Sequence, residues 1–454
     1  MKDFKFPKAL RKPLNALVRS GLTPVFVGGC VRDSLLGVLP KDFDVEVFGG
    51  SLLEVEAVLR QFGEVDTFGA SFGVLAFKMT GLDVAFDFSV PRRDRKVAAG
   101  HTGFMTSFEP DMTFAEAASR RDFTVNAMGW DFSTKEFVDP FLGRTDLKAK
   151  VLRVVNPETF VEDPLRVLRG FQFVSRFGLT PTQEFFTLAQ SMAHLQNELP
   201  KDRVREEWFK WAKGLHVGKA LKVLLQTGWM PSELSDLVNV PQDPRHHPEG
   251  DVFTHTCLVC VEAGQMLREG LVHPNQRNEL VFAALCHDLG KVSTTVVSDE
   301  GVTSAGHAEV GVPLAESLMK KLGMPLDLTK TVMVLTKEHM TVAETPRAVR
   351  RLSVRLDSVP MTLWAALVTC DASGRNLGKV TPSFVEKALA LATDLKVTES
   401  PVKPLVTGDM LLQMGMVQGR KLGEVKQLLF NAQLDGEFET VEAGLEMARR
   451  ELGV

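Results

Sequence analysis

Residues 23–48 read TPVFVGGCVRDSLLGVLPKDFDVEVF, and this stretch decides the architecture of the N-terminal part. Thr23–Gly28 is a short β-like run. Gly28-Gly29-Cys30-Val31-Arg32-Asp33 follows directly and opens a helix. Glycines let a backbone approach a ligand closely, and a helix N-terminus favours phosphate. Arg32 adds a charge-assisted contact of the kind phosphate oxygens accept. Asp42–Phe48 then alternates strictly. Phe43, Val45 and Val47 fall on one face and Asp42, Asp44 and Glu46 on the other, the period of a half-buried strand. Asp42 and Asp44, two residues apart on one strand face, suit hard divalent ions, because magnesium binds through one or two carboxylates plus substrate phosphates. Paired metals of this kind activate an attacking oxygen and stabilise a leaving one. A solvated polar face is the plain alternative for such a pair.

Working outward, Leu82–Val90 alternates too, with Val84, Phe86 and Phe88 opposite Asp83, Ala85 and Asp87. Asp87 is the candidate third carboxylate, with Glu46 and Asp83 as competitors. Ser119-Arg120-Arg121-Asp122-Phe123-Thr124-Val125-Asn126-Ala127 supplies paired arginines, whose guanidinium groups match triphosphate oxygens bidentately. Helix and strand patterns mix from Met1 to about Pro140. After about Leu147 helical spacing dominates. The expected organisation is an α+β head over residues 1–146, a helical neck and body over 147–240, a helical metal-binding domain over 241–378 and a helical tail over 379–454. Val240-Pro241-Gln242-Asp243-Pro244 reads as a linker between helical units.

These motifs together resemble the class II tRNA nucleotidyltransferase and bacterial poly(A) polymerase family. The resemblance rests on GGCVRD, KDFDVEVFG, SRRDFTVNAMGWD and, further on, VEDPLRVLRGFQFVSRFG, and it spans at least residues 25–210. It implies a DNA polymerase beta-like nucleotidyltransferase head. The implied reaction is transfer of a nucleoside monophosphate from a nucleoside triphosphate to an RNA 3′-hydroxyl, with release of pyrophosphate; ATP, CTP and the tRNA 3′ end are the expected partners. Carried over by position, Asp42 and Asp44 hold magnesium, and Gly29, Arg32 and Arg121 hold the triphosphate; the residue reading adds Asp87 as the third carboxylate and Gly28 to the triphosphate turn.

Asp163, Arg166 and Arg169, spaced by three, are expected on one helix face, with Pro164 in the first turn. An ionised Asp only accepts hydrogen bonds and Arg only donates. Cytosine and adenine each present an exocyclic amine beside a ring nitrogen acceptor. Asp163 can therefore accept from the amine while Arg166 donates to the ring. Uracil and guanine place a carbonyl where the amine would be, and are rejected by leaving polar groups unpaired. The family has such an Asp-x-x-Arg pair in this role. Nothing in the pair chooses between C and A, so full CCA addition, A-addition, CC-addition and poly(A) synthesis all stay open. Those differences belong to head segments such as Pro91–Met105, with Arg92, Arg93, Arg95 and Lys96, a run that also reads as a solvated loop. The stretch around Asp202-Arg203 resembles a further family motif and reads as structural support.

Residues 246–371 carry a second constellation: His255, then Cys286-His287-Asp288-Leu289-Gly290-Lys291, then His307, His339 and Asp371. Imidazoles and carboxylates drawn from separate helices are the usual makings of a divalent metal site. The order resembles the HD metal-dependent phosphohydrolases, with His255, His287, Asp288 and Asp371 as the matching ligands. His307 and His339 are candidates for a second metal. The resemblance implies a divalent ion such as Mg, Mn, Ni or Fe, and activation of water against phosphorus. A hydrolase with an inactive head, or a purely RNA-binding partner, are the competing readings. Intact head carboxylates argue against both.

Composition sets the outer limits. The 454 residues suffice for roughly three domains. A hydrophobic fraction of 44% excludes disordered or collagen-like chains. Lys+Arg 53 against Asp+Glu 57 gives −4, so this is no basic nucleic-acid coat and any RNA contact is local. No apolar run approaches the ~20 residues of a membrane helix, and residues 1–20 lack a signal-peptide core. Five scattered cysteines, with a single CxxC at Cys257 and Cys260, read as free thiols of a cytoplasmic protein. The sequence holds 30 phenylalanines and no tyrosine, so no step uses a phenol. Oligomeric state leaves no mark on the sequence.

Overall fold

The computed structural model describes the chain except for residues 1–3, 41, 68–72, 80–84, 97–103, 110, 376–377 and 453–454. The chain is α+β and divides into two compact units. One comprises residues 1–207 with 223–229, and the other residues 208–222 with 230–454. Val240–Pro244, expected as a linker, lies inside the second unit.

The first unit is built on strands β1 (Thr23–Val27), β2 (Asp44–Phe48), β3 (Gly63–Asp66), β4 (Val74–Met79), β5 (Ala85–Ser89), β6 (Arg92–Lys96), β7 (Phe104–Phe108), β8 (Gly129–Asp131) and β9 (Glu136–Val138). Seven of them form one sheet in the order β3-β4-β5-β2-β1-β8-β9. β2 and β5 pair in parallel, whereas β1 and β2 pair antiparallel. A parallel neighbour needs a crossover, and the helix Leu52–Leu59 with β3 and β4 supplies it. β6 and β7 form a separate antiparallel hairpin, so the basic run at Arg92–Lys96 is strand rather than loop. The side chains of Arg93, Arg95 and Lys96 lie outside the described residues, as does Asp83.

Alternation sorts the two sheet faces. Phe26 packs against Phe43 at 6.1 Å and Trp130 at 6.0 Å, and Phe43 against Phe86 at 6.5 Å. Each such buried ring contributes about 2–3 kcal/mol of transfer free energy. The opposite face buries Val25, Val27 and Phe48 against Met112, Phe114 and Ala117. The carboxylates of β2 and β5 share this second face.

The first unit also contains helices α1 (Gly29–Leu35), α2 (Phe114–Ser119) and α3 (Leu165–Phe177). α2 opens with a capping box in which Thr113 and Glu116 satisfy one another's backbone N–H groups.

The second unit is mainly helical. Its metal-type residues sit on α4 (Val252–Arg268), α5 (Arg277–Cys286), α6 (His307–Lys321), α7 (Leu326–Glu338) and α8 (Met361–Ser373), or just beyond their ends. Gly290 lets α6 come close: a Cβ there would lie 2.0 Å from the carbonyl oxygen of His307. That contact brings His307 beside Asp288. No described helix is long and apolar enough to cross a membrane.

Candidate functional site

In the first unit the register sets Asp44 of β2 directly beside Asp87 of β5, and opposite Val27 of β1. Asp42 precedes β2, which begins at Asp44 rather than at Asp42. The three carboxylates act on one another. Desolvation by the surrounding protein, then the negative charge of Asp87, raises the Asp44 pKa; Asp42 adds to this and Arg121 opposes it. Desolvation and the Asp42 charge raise that of Asp87. The neighbouring carboxylates of Asp44 and Asp87, both with raised pKa values, fit a hard divalent ion.

Gly28, between β1 and α1, has φ +69° and ψ −128°, a conformation that favours glycine. A Cβ at Gly28 would stand 3.1 Å from Arg121 Nη1 and 3.9 Å from Asp44 Oδ2. The bare backbone therefore lets a guanidinium and a carboxylate meet at the start of α1. Arg121 Nη2 donates to Glu46 Oε2 at 3.1 Å, and Arg120 Nη2 to Glu46 Oε1 at 3.4 Å. Arg121 Nε has no hydrogen-bond partner. Glu46 is 1% exposed. The alternation places it on the polar face with Asp44, as a competitor for the third carboxylate. Instead α2 and the segment after it cover its end of the strand, and it holds both arginines.

Arg32 and Gly29 sit on α1. Arg32 is buried, and each of its three guanidinium nitrogens donates. Its Nε and Nη2 donate to Asp33 Oδ1 at 2.9 and 2.7 Å, its Nη1 donates to Asn126 Oδ1 at 2.5 Å, and it lies over the ring of Phe177. It ties α1 to the turn at residues 124–126.

Arg166 and Arg169 lie three apart on α3 as the spacing predicts, and Asp163 alone stands off the helix. α3 starts at Leu165, and Asp163 stands before it, accepting from the Leu165 backbone N–H at 3.1 Å. A proline at 164 has no N–H to offer, so the Asp163 carboxylate serves the next one. Its ionic partner is Arg203, at 3.3 Å. Arg166 donates to the carbonyl oxygens of Thr159 and Arg120, both at 2.7 Å. Two of its five N–H donors are thus used. Arg169 Nε donates to Asp122 Oδ2 at 2.7 Å. Burial pushes the Asp122 pKa up, but the Arg169 charge and the hydrogen bonds from Asn126 and Arg169 outweigh it and hold the carboxyl below its ordinary value.

In the second unit His255, His287, Asp288, His307, His339 and Asp371 are all buried. His255 Nε2 lies 2.9 Å from Asp371 Oδ1. His287 Nε2 is 3.3 Å from Asp288 Oδ2, and His307 Nε2 is 3.2 Å from Asp288 Oδ1. His307 Nε2 and His339 Nε2 are 3.1 Å apart. Asp288 thus faces two groups, His255 with His287 and His307 with His339. Lys291 Nζ lies 2.7 Å from Asp288 Oδ2.

The tautomers point the same way. The Nδ1 atoms of His287, His307 and His339 lie 2.9, 2.8 and 2.7 Å from the carbonyl oxygens of Ala284, Ser304 and Thr336. Each Nδ1 must donate, so each Nε2 lone pair faces inward. Two lone pairs at 3.1 Å repel unless a proton or a metal ion lies between them. Burial lowers the His255 pKa, but Asp371 and Glu249 outweigh it and push it up to about 9. Burial holds His339 down at about 4. Glu249 and Lys291 were given no role from the sequence, Glu46 was read as a competing third carboxylate rather than an arginine anchor, and Arg203 as structural support rather than the partner of Asp163. The Arg120-Arg121 pair, which needs an anion, was the available signal for Glu46.

A model of the Poly A polymerase head domain family matches residues 25–153, and one of the HD domain family matches residues 252–369. Together they define a nucleotidyltransferase that carries a histidine–aspartate domain. The multifunctional CCA protein of Xanthomonas oryzae pv. oryzae is 32% identical over 415 residues, covering 88% of this chain and 94% of that protein. That of Vibrio cholerae is 33% identical over 381 residues, covering 80% and 89%. The chain belongs to this family of CCA-adding tRNA nucleotidyltransferases. A crystal structure of the Bacillus stearothermophilus CCA-adding enzyme in complex with CTP has the same fold, with TM-score 0.67, 20% identity, and 99% and 100% of the two chains covered. The Thermotoga maritima CCA-adding enzyme complexed with tRNA matches with TM-score 0.59 and 18% identity, over 99% and 97%.

Proposed function

We propose that this protein completes tRNA 3′ ends by adding C and A from CTP and ATP without a template, releasing pyrophosphate. The observation that carries the reading is the register of β2 and β5, which sets Asp44 beside Asp87 at the turn where Gly28 and Arg121 meet. Asp42, Asp44 and Asp87 would hold magnesium. Bound there, it would supply charge stabilisation for the attacking and leaving oxygens. Gly28 and Gly29 give the triphosphate room, and Arg121, oriented by Glu46, offers it a charged donor. Arg32 supports this from behind α1 by fixing Asn126.

Asp163 accepts from the exocyclic amine of the incoming base, and Arg166 donates to its ring nitrogen. Arg203 and the Leu165 N–H hold the Asp163 carboxylate for that task. Arg169 keeps Asp122 ionised beneath the site. Buried free cysteines fit a cytoplasmic setting.

The test is primer extension with magnesium on tRNAs ending before CCA and after CC, and on a generic RNA, with ATP and CTP separately and together. Completed CCA ends support the reading. A alone on the CC-ending tRNA makes it an A-adding enzyme, and long A tails on generic RNA make it a poly(A) polymerase.

A second activity is favoured by the inward-facing lone pairs of His287, His307 and His339. We propose that this site holds one or two divalent ions such as Mg, Mn, Ni or Fe, through His255, His287, Asp288, Asp371, His307 and His339. Such ions would supply a nucleophile for hydrolysis of a phosphoester. Loss of hydrolysis in His287→Ala is expected, and unaltered hydrolysis would end this reading.

A further inference from the structure

Three of the four inward-facing imidazoles are oriented by main-chain carbonyls three residues earlier, but His255 is not. The carbonyl in that position, Val252 O, already accepts from Thr256 Oγ1 at 2.9 Å. The His255 Nδ1 instead lies 2.7 Å from Glu249 Oε1. The same oxygen lies 2.9 Å from His247 Nδ1. The Glu249 side chain is 1% exposed and its second oxygen has no partner. The loop that carries Glu249 is pinned, because Asp251 accepts from the backbone N–H groups of Thr254 and Asn239 at 2.8 and 2.7 Å.

We propose that Glu249 is a positioning residue of the histidine–aspartate site, fixing His255 so that its Nε2 faces Asp288 and Asp371. This rests on the metal-site reading above. A carboxylate in this place does two things a carbonyl does not. Its full charge makes the imidazole a stronger donor to a cation, and its reach across the loop makes the ring orientation depend on residues 247–251. His247 closes the arrangement from the outer side and keeps Glu249 Oε1 turned inward. Partners of this kind, when removed, typically cost about 10- to 100-fold in metal affinity.

The experiment uses the full chain carrying Asp42→Ala and Asp44→Ala, so that the first unit takes up no ion. Mn2+ alone is titrated by calorimetry into this protein and into versions with Glu249→Ala, Glu249→Gln or Asp288→Asn added. Circular dichroism checks that each is folded. The expected results are Mn2+ uptake by the parent, none by Asp288→Asn, and about 10- to 100-fold weaker binding by Glu249→Ala. Glu249→Gln, which keeps an acceptor oxygen but not the charge, falls between and serves as the readout if the alanine variant does not fold. Equal affinity in the parent and both Glu249 variants overturns the proposal while leaving the metal site standing. No uptake by the parent overturns the metal reading itself.

Discussion

Replacing Gly28 with alanine should damage the first unit in two separable ways. The backbone at Gly28 sits at φ +69° and ψ −128°, so any side chain is strained there, at a cost of about 1–3 kcal/mol. For a unit of this size that lowers Tm by about 2–12 °C. The added Cβ would also lie 3.1 Å from Arg121 Nη1. Arg121 is anchored through Nη2 on Glu46 at 3.1 Å, and its Nε is free, so the guanidinium is the group that yields. Losing one charge-assisted contact to the triphosphate is worth about 1.5–3 kcal/mol, a rise in KM for CTP and ATP of about 10- to 150-fold. Gly37→Ala is the control. Its φ is +78° with nothing within 4 Å of the added Cβ, so it bears the strain without the contact. Steady-state incorporation and thermal melts of both variants separate the terms. Gly28→Ala with unchanged KM, or Gly37→Ala with the same KM defect, would refute the reasoning.

Other outcomes follow from the same geometry. Asp44→Asn and Asp87→Asn should each raise Tm in metal-free buffer at neutral pH. The raised folded-state pKa means the ionised forms destabilise the fold, and that penalty appears as pH rises through the folded value. The gain should shrink toward about pH 4, where both states protonate. Asp122→Ala strands the half-buried Arg169 and two N–H donors, and should cost about 2–3 kcal/mol in urea unfolding. For the second unit, a cation must displace the proton that His255 holds up to about pH 9. Mn2+ affinity should therefore climb with pH, by up to about tenfold per unit below 9. The stability that the protonated His255 gives the metal-free fold is complete below about pH 6.5 and lost as pH rises through about 9.

Much of the first site was legible because strand periodicity is local. The alternation of Asp42–Phe48 and of Leu82–Val90 separates carboxylates from apolar residues without any knowledge of the fold. It does not say what covers a face. Glu46 shares the polar phase of Asp44 but lies under Arg120 and Arg121, which arrive from more than seventy residues away. Helical spacing failed at Asp163 for a related reason. Counting by three assumes that the helix already exists there, whereas it begins at Leu165, just after Pro164, and leaves Asp163 to accept from that N–H. The second site was visible as scattered His and Asp residues, because few other arrangements use them in that order. Glu249 was hidden, since its role depends on Val252 O being taken by Thr256.

The most direct test of the central claim is the single-turnover rate of CMP transfer to a tRNA lacking its CCA end, measured for the unaltered protein, Asp44→Ala, Asp87→Ala and Glu46→Gln. The carboxylate pair set by the β2–β5 register should be indispensable, so Asp44→Ala and Asp87→Ala fall by about three orders of magnitude or more while remaining folded. Glu46→Gln should keep its saturated rate within about tenfold and lose mainly nucleotide affinity, as expected for a residue that only orients Arg121. Transfer retained in either aspartate variant, or abolished in Glu46→Gln with both aspartates dispensable, would contradict the account.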